Sequence, residues 1–251
     1  MDHDDLASVA GVFCDSATLE PGATIRLYED AAHHVRVRRL DIGDRVHVAD
    51  GAGTRATGSI VRLGKKDVEV AIDDVARTSR APEVHMIVPV ADRDRMLWCA
   101  EKCTELDASS WRPVVWNRSR SVSPRGEGEA FGARVRARMA SALVQSHGAW
   151  LPAVRTEAPL GTALRDLPAE GARLVLDWSG TPILLEEMGA PVTIAVGPEG
   201  GIEATELQLL RAAGFRAVSL GANVLRFETA AVAALAIVRT RLSASLETTN
   251  G

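Results

Sequence analysis

The run over residues 192–230, VTIAVGPEGGIEATELQLLRAAGFRAVSLGANVLRFETA, constrains this chain more than any other stretch. Its apolar opening, 192–196, predicts a short buried strand. The turn Gly197-Pro198-Glu199-Gly200-Gly201 follows, and then an amphipathic helix. A second strand over 217–220, a loop over 221–228 and an apolar helix over 229–242 complete the run. Strands alternating with helices build open α/β sheets, where ligands bind beyond the carboxyl ends of the strands. Glycine in both loops lets a ligand lie against the backbone.

The turn is a poor phosphate cradle. Such cradles offer backbone N–H groups, a helix N-terminus and often a lysine. Here Glu199 sits at the centre and Pro198 donates no N–H. No G-x-G-x-x-G and no G-x-x-x-x-G-K-[ST] occurs in the chain. A carboxylate in the loop suits a cation or hydroxyls instead. From the turn alone, a plain strand–turn–helix connection is an equal reading, with Glu203 or Glu206 favouring the helix start. The second loop tips the balance towards a ligand site, because it gathers Asn223, Arg226, Glu228 and Thr229 just past a strand end.

Upstream, alternation predicts strands over 24–27, 45–48, 57–61 and 68–72, with turn residues between them and a helical interruption over 33–39. Short strands at this spacing suggest a small barrel. Residues 78–82 read as a linker. Strands over 84–90, 111–116 and 174–177 then alternate with helices over 93–106 and 134–145, which implies a mostly parallel sheet. The stretch 121–132 reads as a polar loop. The boundary is therefore placed between residues 1–78 and 79–251.

Of 251 residues, 46% are hydrophobic and 25% charged, the composition of a folded globular chain. No apolar run approaches the ~20 residues of a membrane span. The opening MDHDDLASVAG lacks a basic secretory start, so a cytoplasmic location is expected. The three cysteines show no metal-ligand spacing and read as buried free thiols; no metal is expected. A net charge of −4 hides two basic stretches: 33–39 carries three arginines and no acid, and 112–138 carries seven arginines against Glu127 and Glu129. Both are candidate phosphate-contacting surfaces, although charge runs are usually solvated faces.

The C-terminal pattern, GPEGG followed by L-G-x-x-x-L-R-x-E-T-A, resembles the signature of the SPOUT methyltransferases. More narrowly it is similar to the bacterial 16S rRNA uracil-N3 methyltransferase family. Residues 33–40, 42–44 and 48–53 resemble that family's N-terminal H-x-x-x-V-L-R…G-D…D-G-x-G pattern. Residues 101–106, EKCTEL, resemble its Q-K-x-x-E-L-G helix, and Arg118-Ser119 the R-S that follows, so the resemblance runs nearly the whole chain.

That resemblance implies an α/β SPOUT domain with a deep trefoil knot, a small PUA-like RNA-binding β-barrel at the N-terminus, S-adenosylmethionine as methyl donor, and a homodimer. The substrate it implies is a uridine of 16S rRNA in the small ribosomal subunit. Donor-binding positions would be Leu176, Gly197, Pro198, Glu199, Gly200, Gly201, Leu220, Gly221, Leu225, Arg226 and Thr229. Adenine would be read by main-chain groups near Leu220, Gly221 and Leu225. Arg226 is the first candidate for catalysis, orienting the uracil or stabilising charge on its carbonyl oxygens. Glu228 is a candidate acceptor of the N3 proton, or else a cap of the final helix. Arg36, Arg38, Arg39, Arg118 and Asn223 are the candidate RNA contacts.

The chain departs from the family pattern in four places. Asp107 stands where the family has glycine, Val144 and Gly148 replace a glutamate and an arginine, Phe227 replaces a commoner threonine, and no arginine precedes Phe13. These departures leave open a SPOUT enzyme with another target nucleotide, or a dimeric RNA-binding protein that has lost turnover.

Overall fold

The computed structural model describes residues 10–15, 18–28, 30–119 and 125–249. It divides into two compact units, residues 1–80 with 140–151, and residues 81–139 with 152–251. A single boundary after residue 78 was expected; here residues 140–151 also belong to the first unit.

The first unit is a five-stranded sheet built from β1 (Ala10–Phe13), β2 (Thr24–Tyr28), β3 (Arg45–Ala49), β4 (Thr54–Leu63) and β5 (Asp67–Arg77), in the order β1-β3-β4-β5-β2. β1 runs parallel to β3, and the remaining pairs are antiparallel. Register shifts at Thr57/Gly58 and Ile60/Arg62 bend β4 against β5, as bulges do. A Cβ at Gly58 would lie 2.2 Å from the Ala71 carbonyl oxygen, so only glycine fits there. The curled sheet wraps Val12, Ile25, Leu27, Val46, Val48, Ile60, Val68 and Val70, all buried in one core. Helix α1 (Asp30–Val37) packs on β1, β2 and β5 and adds Val35 to that core. β1 was missed in the sequence because only four residues form it, and its pairing partner lies over thirty positions away.

The segment 140–151 serves this unit. His47 Nε2 lies 2.8 Å from the Val144 carbonyl oxygen, Arg55 Nη1 donates to the His147 carbonyl at 2.8 Å, and Trp150 Nε1 donates to the Thr78 carbonyl at 3.1 Å. His147, at φ 55, and Gly148, whose N–H donates to Leu143 O at 2.8 Å, close the helix that carries them. Val144 is buried here. Two departures from the family pattern therefore have packing roles in the first unit.

The second unit holds β6 (Val84–Pro89), β7 (Ser110–Val115), β8 (Ala153–Val154), β9 (Ala158–Pro159), β10 (Ala172–Pro182), β11 (Val192–Ala195) and β12 (Arg216–Ser219). Their order is β12-β10-β11-β6-β7-β8, with β9 also on β7, and every pair is parallel. Parallel sheets are buried on both faces, which is why β6 and β11 are mostly apolar, broken by His85 and Thr193. Helix α2 (Arg93–Glu105) packs on α6 (Phe227–Thr249), and α6 packs on β6 and β11. Ile87, Val114, Trp116, Val175 and Ala195 meet Leu160 and Ala163 of α4 (Leu160–Arg165) and Leu210 of α5 (Ala204–Ala212) in a second core.

Helix α3 (Glu129–Gln145) begins inside the stretch expected to be loop; residues 121–124 of that stretch lie outside the described residues. Glu157 accepts from the Gly128 N–H at 2.8 Å and fixes this start. Asp107 ends α2 at φ 56, the left-handed conformation that favours glycine and that aspartate tolerates. Its carbonyl accepts from Arg239 of α6. The three cysteines are free and buried, and the hydrogen bond with Cys99, together with burial, pushes the Cys103 thiol well up.

Candidate active site

The carboxyl ends of β10, β11 and β12 lie side by side, and the segments leaving them enclose a cavity of about 210 Å³. The first segment was expected to be a loop after a strand. It is instead a bulge within β10, whose register against β12 shifts between Leu176 and Thr181. Asp177 Oδ1 shapes the bulge by accepting from the Ser179 N–H at 2.8 Å and from its hydroxyl at 2.6 Å. A Cβ at Gly180 would lie 2.4 Å from Ala217 C, so a side chain there would force the bulge off β12.

The second segment is the turn after β11. Gly201 N–H donates to Pro198 O at 2.8 Å and closes it. Gly197 is needed by the chain itself, since a Cβ there would strike Ile202 Cγ1 at 2.5 Å. Gly200 packs against Arg118, whose carbonyl oxygen would lie 2.9 Å from an added Cβ. Gly201 and Gly221 are different. They have φ +78 and φ +140 with nothing within 4 Å of an added Cβ, and both face the cavity. Here the backbone is bare towards a ligand. Beyond the turn, α5 is held by Glu206, a buried carboxylate that accepts from Glu203 N at 3.0 Å and Asn117 N at 2.8 Å.

Of the donor-binding candidates, Leu176, Gly197, Pro198, Glu199, Gly201, Leu220, Gly221 and Leu225 line this one cavity. Gly200, Arg226 and Thr229 do not. Asn223, expected against RNA, also lines it. Sequence reasoning missed Val196, Ile202, Val218, Val224, Phe227 and Ala230, which supply much of the apolar wall. Phe227, one of the family departures, is buried beneath the cavity as the first residue of α6. Apolar side chains beside bare backbone suit a flat heteroaromatic ring, and Asp177 and Glu199 suit hydroxyls or positive charge. This donor set fits S-adenosylmethionine.

A row of charge crosses the cavity mouth. Arg226 Nη1 stands 3.9 Å from Glu199 Oε1, and its side chain is 61% exposed. The same oxygen accepts from Arg95 Nη1. Arg95 Nε in turn lies 4.0 Å from Glu228 Oε1, while Glu228 Oε2 is buried without a hydrogen-bond partner. Arg226 also carries the carbonyl that accepts the Ala230 N–H at 2.9 Å, in the first turn of α6. Arg95 was not foreseen. Its signal was topological: β6 is parallel to β11, so a residue just past β6 reaches the end of the sheet that holds the cavity.

The candidate RNA contacts divide. Arg38 and Arg39 are exposed, with Arg39 at φ 57. Arg36 is tied to its own unit, donating to Ala32 O at 2.9 Å and Lys65 O at 2.5 Å. Arg118 donates to Glu203 at 3.3 Å. Among the described residues no group of three or more His, Cys, Asp or Glu side chains is placed to hold a metal ion.

A parallel-sheet unit with a ligand cavity at its strand ends, and a separate curled sheet, is the construction of a SPOUT-type RNA-modifying enzyme. The sequence profile of the RNA methyltransferase domain matches residues 79–239, and that of the RNA methyltransferase PUA domain matches residues 27–73. The chain belongs to this RNA methyltransferase family. It is 28% identical over 229 residues to the ribosomal RNA small subunit methyltransferase E of Synechocystis sp., covering 88% of this chain and 74% of the relative. It is 30% identical over 229 residues to the protein of the same name from Mycobacterium bovis, covering 84% and 83%. The Neisseria gonorrhoeae ribosomal RNA small subunit methyltransferase E, solved bound to S-adenosyl methionine, superposes with a TM-score of 0.84 at 26% identity, covering 93% of this chain and 98% of that one.

Proposed function

We propose that this protein transfers the methyl group of S-adenosylmethionine to N3 of a uridine in 16S rRNA of the small ribosomal subunit. The observation that carries the reading is the cavity at the ends of β10, β11 and β12, floored by bare backbone at Gly201 and Gly221 and guarded by Arg226. The names of the relatives and the bound donor in the Neisseria gonorrhoeae structure support it.

When bound, the donor supplies an electrophilic methyl group on a sulfonium. Leu220, Gly221 and Leu225 would read its adenine, and Leu176 with Gly197, Pro198, Glu199 and Gly201 would hold the remainder. Arg226 hydrogen-bonds a uracil carbonyl oxygen and stabilises the anion left when N3 loses its proton. Glu228 is the proposed acceptor of that proton, through the carboxylate oxygen that has no partner. Aligning N3 in line with the methyl group supplies much of the acceleration. A paired target base must first be exposed or flipped. Arg38 and Arg39 carry phosphate contacts from the first unit.

The same reading includes the deep trefoil knot, a homodimer and a cytoplasmic location. Trp178 and Val224, on two segments around the cavity, are 81% and 93% exposed, which supports a surface that a second subunit covers. None of the described helices is long and apolar enough to cross a membrane. The deciding experiment is transfer from labelled S-adenosylmethionine to small subunits lacking the modification, followed by nucleoside analysis. 3-Methyluridine is the expected product. Another methylated nucleoside would overturn the uracil-N3 assignment and keep the methyltransferase.

A further inference from the structure

Two arginines reach for one carboxylate at the cavity mouth, and they do so unequally. Glu199 takes a charge-assisted hydrogen bond from Arg95, whereas Arg226 stands off at 3.9 Å. Arg95 is anchored at its base. It sits in the first turn of α2, where Asp92 Oδ1 accepts from Asp94 N at 3.1 Å and from Arg95 N at 3.0 Å. Its guanidinium also faces Glu228, with Nε at 4.0 Å from Oε1. The row therefore alternates in sign: Arg226, Glu199, Arg95, Glu228.

We propose that Arg95 is a positioning residue that holds the 197–201 turn through Glu199 and, by occupying Glu199, leaves Arg226 to the substrate. The proposal rests on the reading of the cavity as the methyl-donor site. The turn needs an external tie. Pro198 donates no N–H, Gly201 sits at φ +78, and the internal closure is the bond from Gly201 N to Pro198 O. Glu199 is the charged handle on this turn, and α2 is the rigid element that grips it. Removing Arg95 would leave Arg226 as the nearest cation to Glu199, a rotamer shift away from a full hydrogen bond. The guanidinium needed by the uracil would then be spent on the protein. Lysine cannot fill both parts, because an ammonium is one point charge while Arg95 serves two carboxylates through Nη1 and Nε.

The test is amide hydrogen exchange at Gly201 in the protein without donor or RNA, for wild type, Arg95→Ala, Arg95→Lys, Glu199→Gln and the Arg95→Ala/Glu199→Gln pair. Exchange in Arg95→Ala should rise about tenfold, the size of losing one hydrogen bond to a charged group. Arg95→Lys should fall between. The double variant should exchange no faster than the faster single one, because both remove the same tie. Calorimetry should then show S-adenosylmethionine bound about tenfold more weakly by Arg95→Ala, and turnover should fall through kcat as well as KM. Unchanged Gly201 exchange in Arg95→Ala, or additive effects in the double variant, would overturn the proposal. Should Arg95→Ala fold poorly, the same comparison runs on Arg95→Lys, which keeps the charge. If wild type fails to bind S-adenosylmethionine, the donor-site reading falls, while the exchange data still judge the role of Arg95.

Discussion

The cavity and the two basic stretches are made of opposite material. The cavity is backbone and apolar side chain, and the glycines of its loops marked it in the sequence. The basic stretches are rich in arginine, and the structure sorts those arginines individually. Arg36 spends its guanidinium on Ala32 and Lys65 carbonyls, and Arg118 pairs with Glu203, while Arg38 and Arg39 reach solvent. Elsewhere in the first unit Arg26 and Arg62 both serve the buried Asp67. A bare backbone position is fixed by φ and by the space around it. A guanidinium is fixed by whichever carboxylate or carbonyl is near, and sequence does not say which.

The sharpest way to break this contrast is Arg226, an arginine at the cavity mouth with a largely exposed side chain that stands 3.9 Å from Glu199. Arg226→Ala should lower kcat by roughly 10²–10³, the cost of one donor to a developing oxyanion. Stability should change by no more than about 0.5 kcal/mol, as for an exposed site. Single-turnover methyl transfer and thermal unfolding measure the two. A loss of stability with activity intact would assign Arg226 to the structure.

Next in size is a contrast within the glycines. Gly221→Val should weaken S-adenosylmethionine binding by at least about tenfold, because the new side chain projects into the cavity and φ +140 disfavours any L residue. Gly200→Ala should instead cost about 1–3 kcal/mol of stability, since its Cβ meets the Arg118 backbone at 2.9 Å. Its donor affinity should stay within about threefold of wild type, as overpacking is paid in folding. Calorimetry and urea denaturation on both variants separate the roles; equal effects would mean the glycines are not of two kinds.

Much of this was legible in residues 192–230, where β11, the turn, α5, β12 and the start of α6 follow one another locally. Local apolar runs and turn residues were enough to mark them. What was not legible depended on distant partners. β10 was expected to stop at residue 177, but pairing with β12 carries it to Pro182 through a bulge that needs Gly180. Residues 134–145 read as an ordinary helix, and contacts from His47, Arg55 and Thr78 bring its end and the residues to 151 into the first unit. Arg95 looked like one more charge in a helix until the parallel pairing of β6 with β11 set it beside Glu199. Asp107 looked like a loss of a family glycine, yet its left-handed φ is the feature that glycine serves.

The first basic stretch can be tested as a pair. Arg38→Ala/Arg39→Ala should lower the slope of log affinity for RNA against log salt by roughly 1.4–1.8, if each exposed guanidinium neutralises one phosphate. Arg36→Ala should change that slope by less and lower the unfolding temperature instead, because its bonds to Ala32 and Lys65 carbonyls tie α1 to its unit. Binding titrations at several salt concentrations decide between them. Equal slopes for the two variants would show that the bonds to carbonyls leave Arg36 as available as its neighbours.

The smallest effect lies on the same helix. Burial, with the charge of Arg38 and then of His33 beside it, pushes the His34 imidazole below its usual 6.5. As pH falls through about 6.5, the unfolded chain therefore binds a proton here before the native one does. Native stability drops over the interval from the unfolded value down to the lowered native one, and this group costs nothing above it. Replacing His34 with Gln removes the imidazole and keeps a polar side chain of similar reach. The fall in unfolding temperature between about pH 7 and about pH 5.5 should then be shallower than in wild type. RNA works in the opposite direction, since a phosphate near α1 favours the charged imidazole. Saturating RNA should therefore shrink the wild-type fall and leave the His34→Gln profile nearly unmoved. A wild-type fall that RNA does not alter would place His34 away from the phosphate path, and with it the α1 end of the first basic stretch.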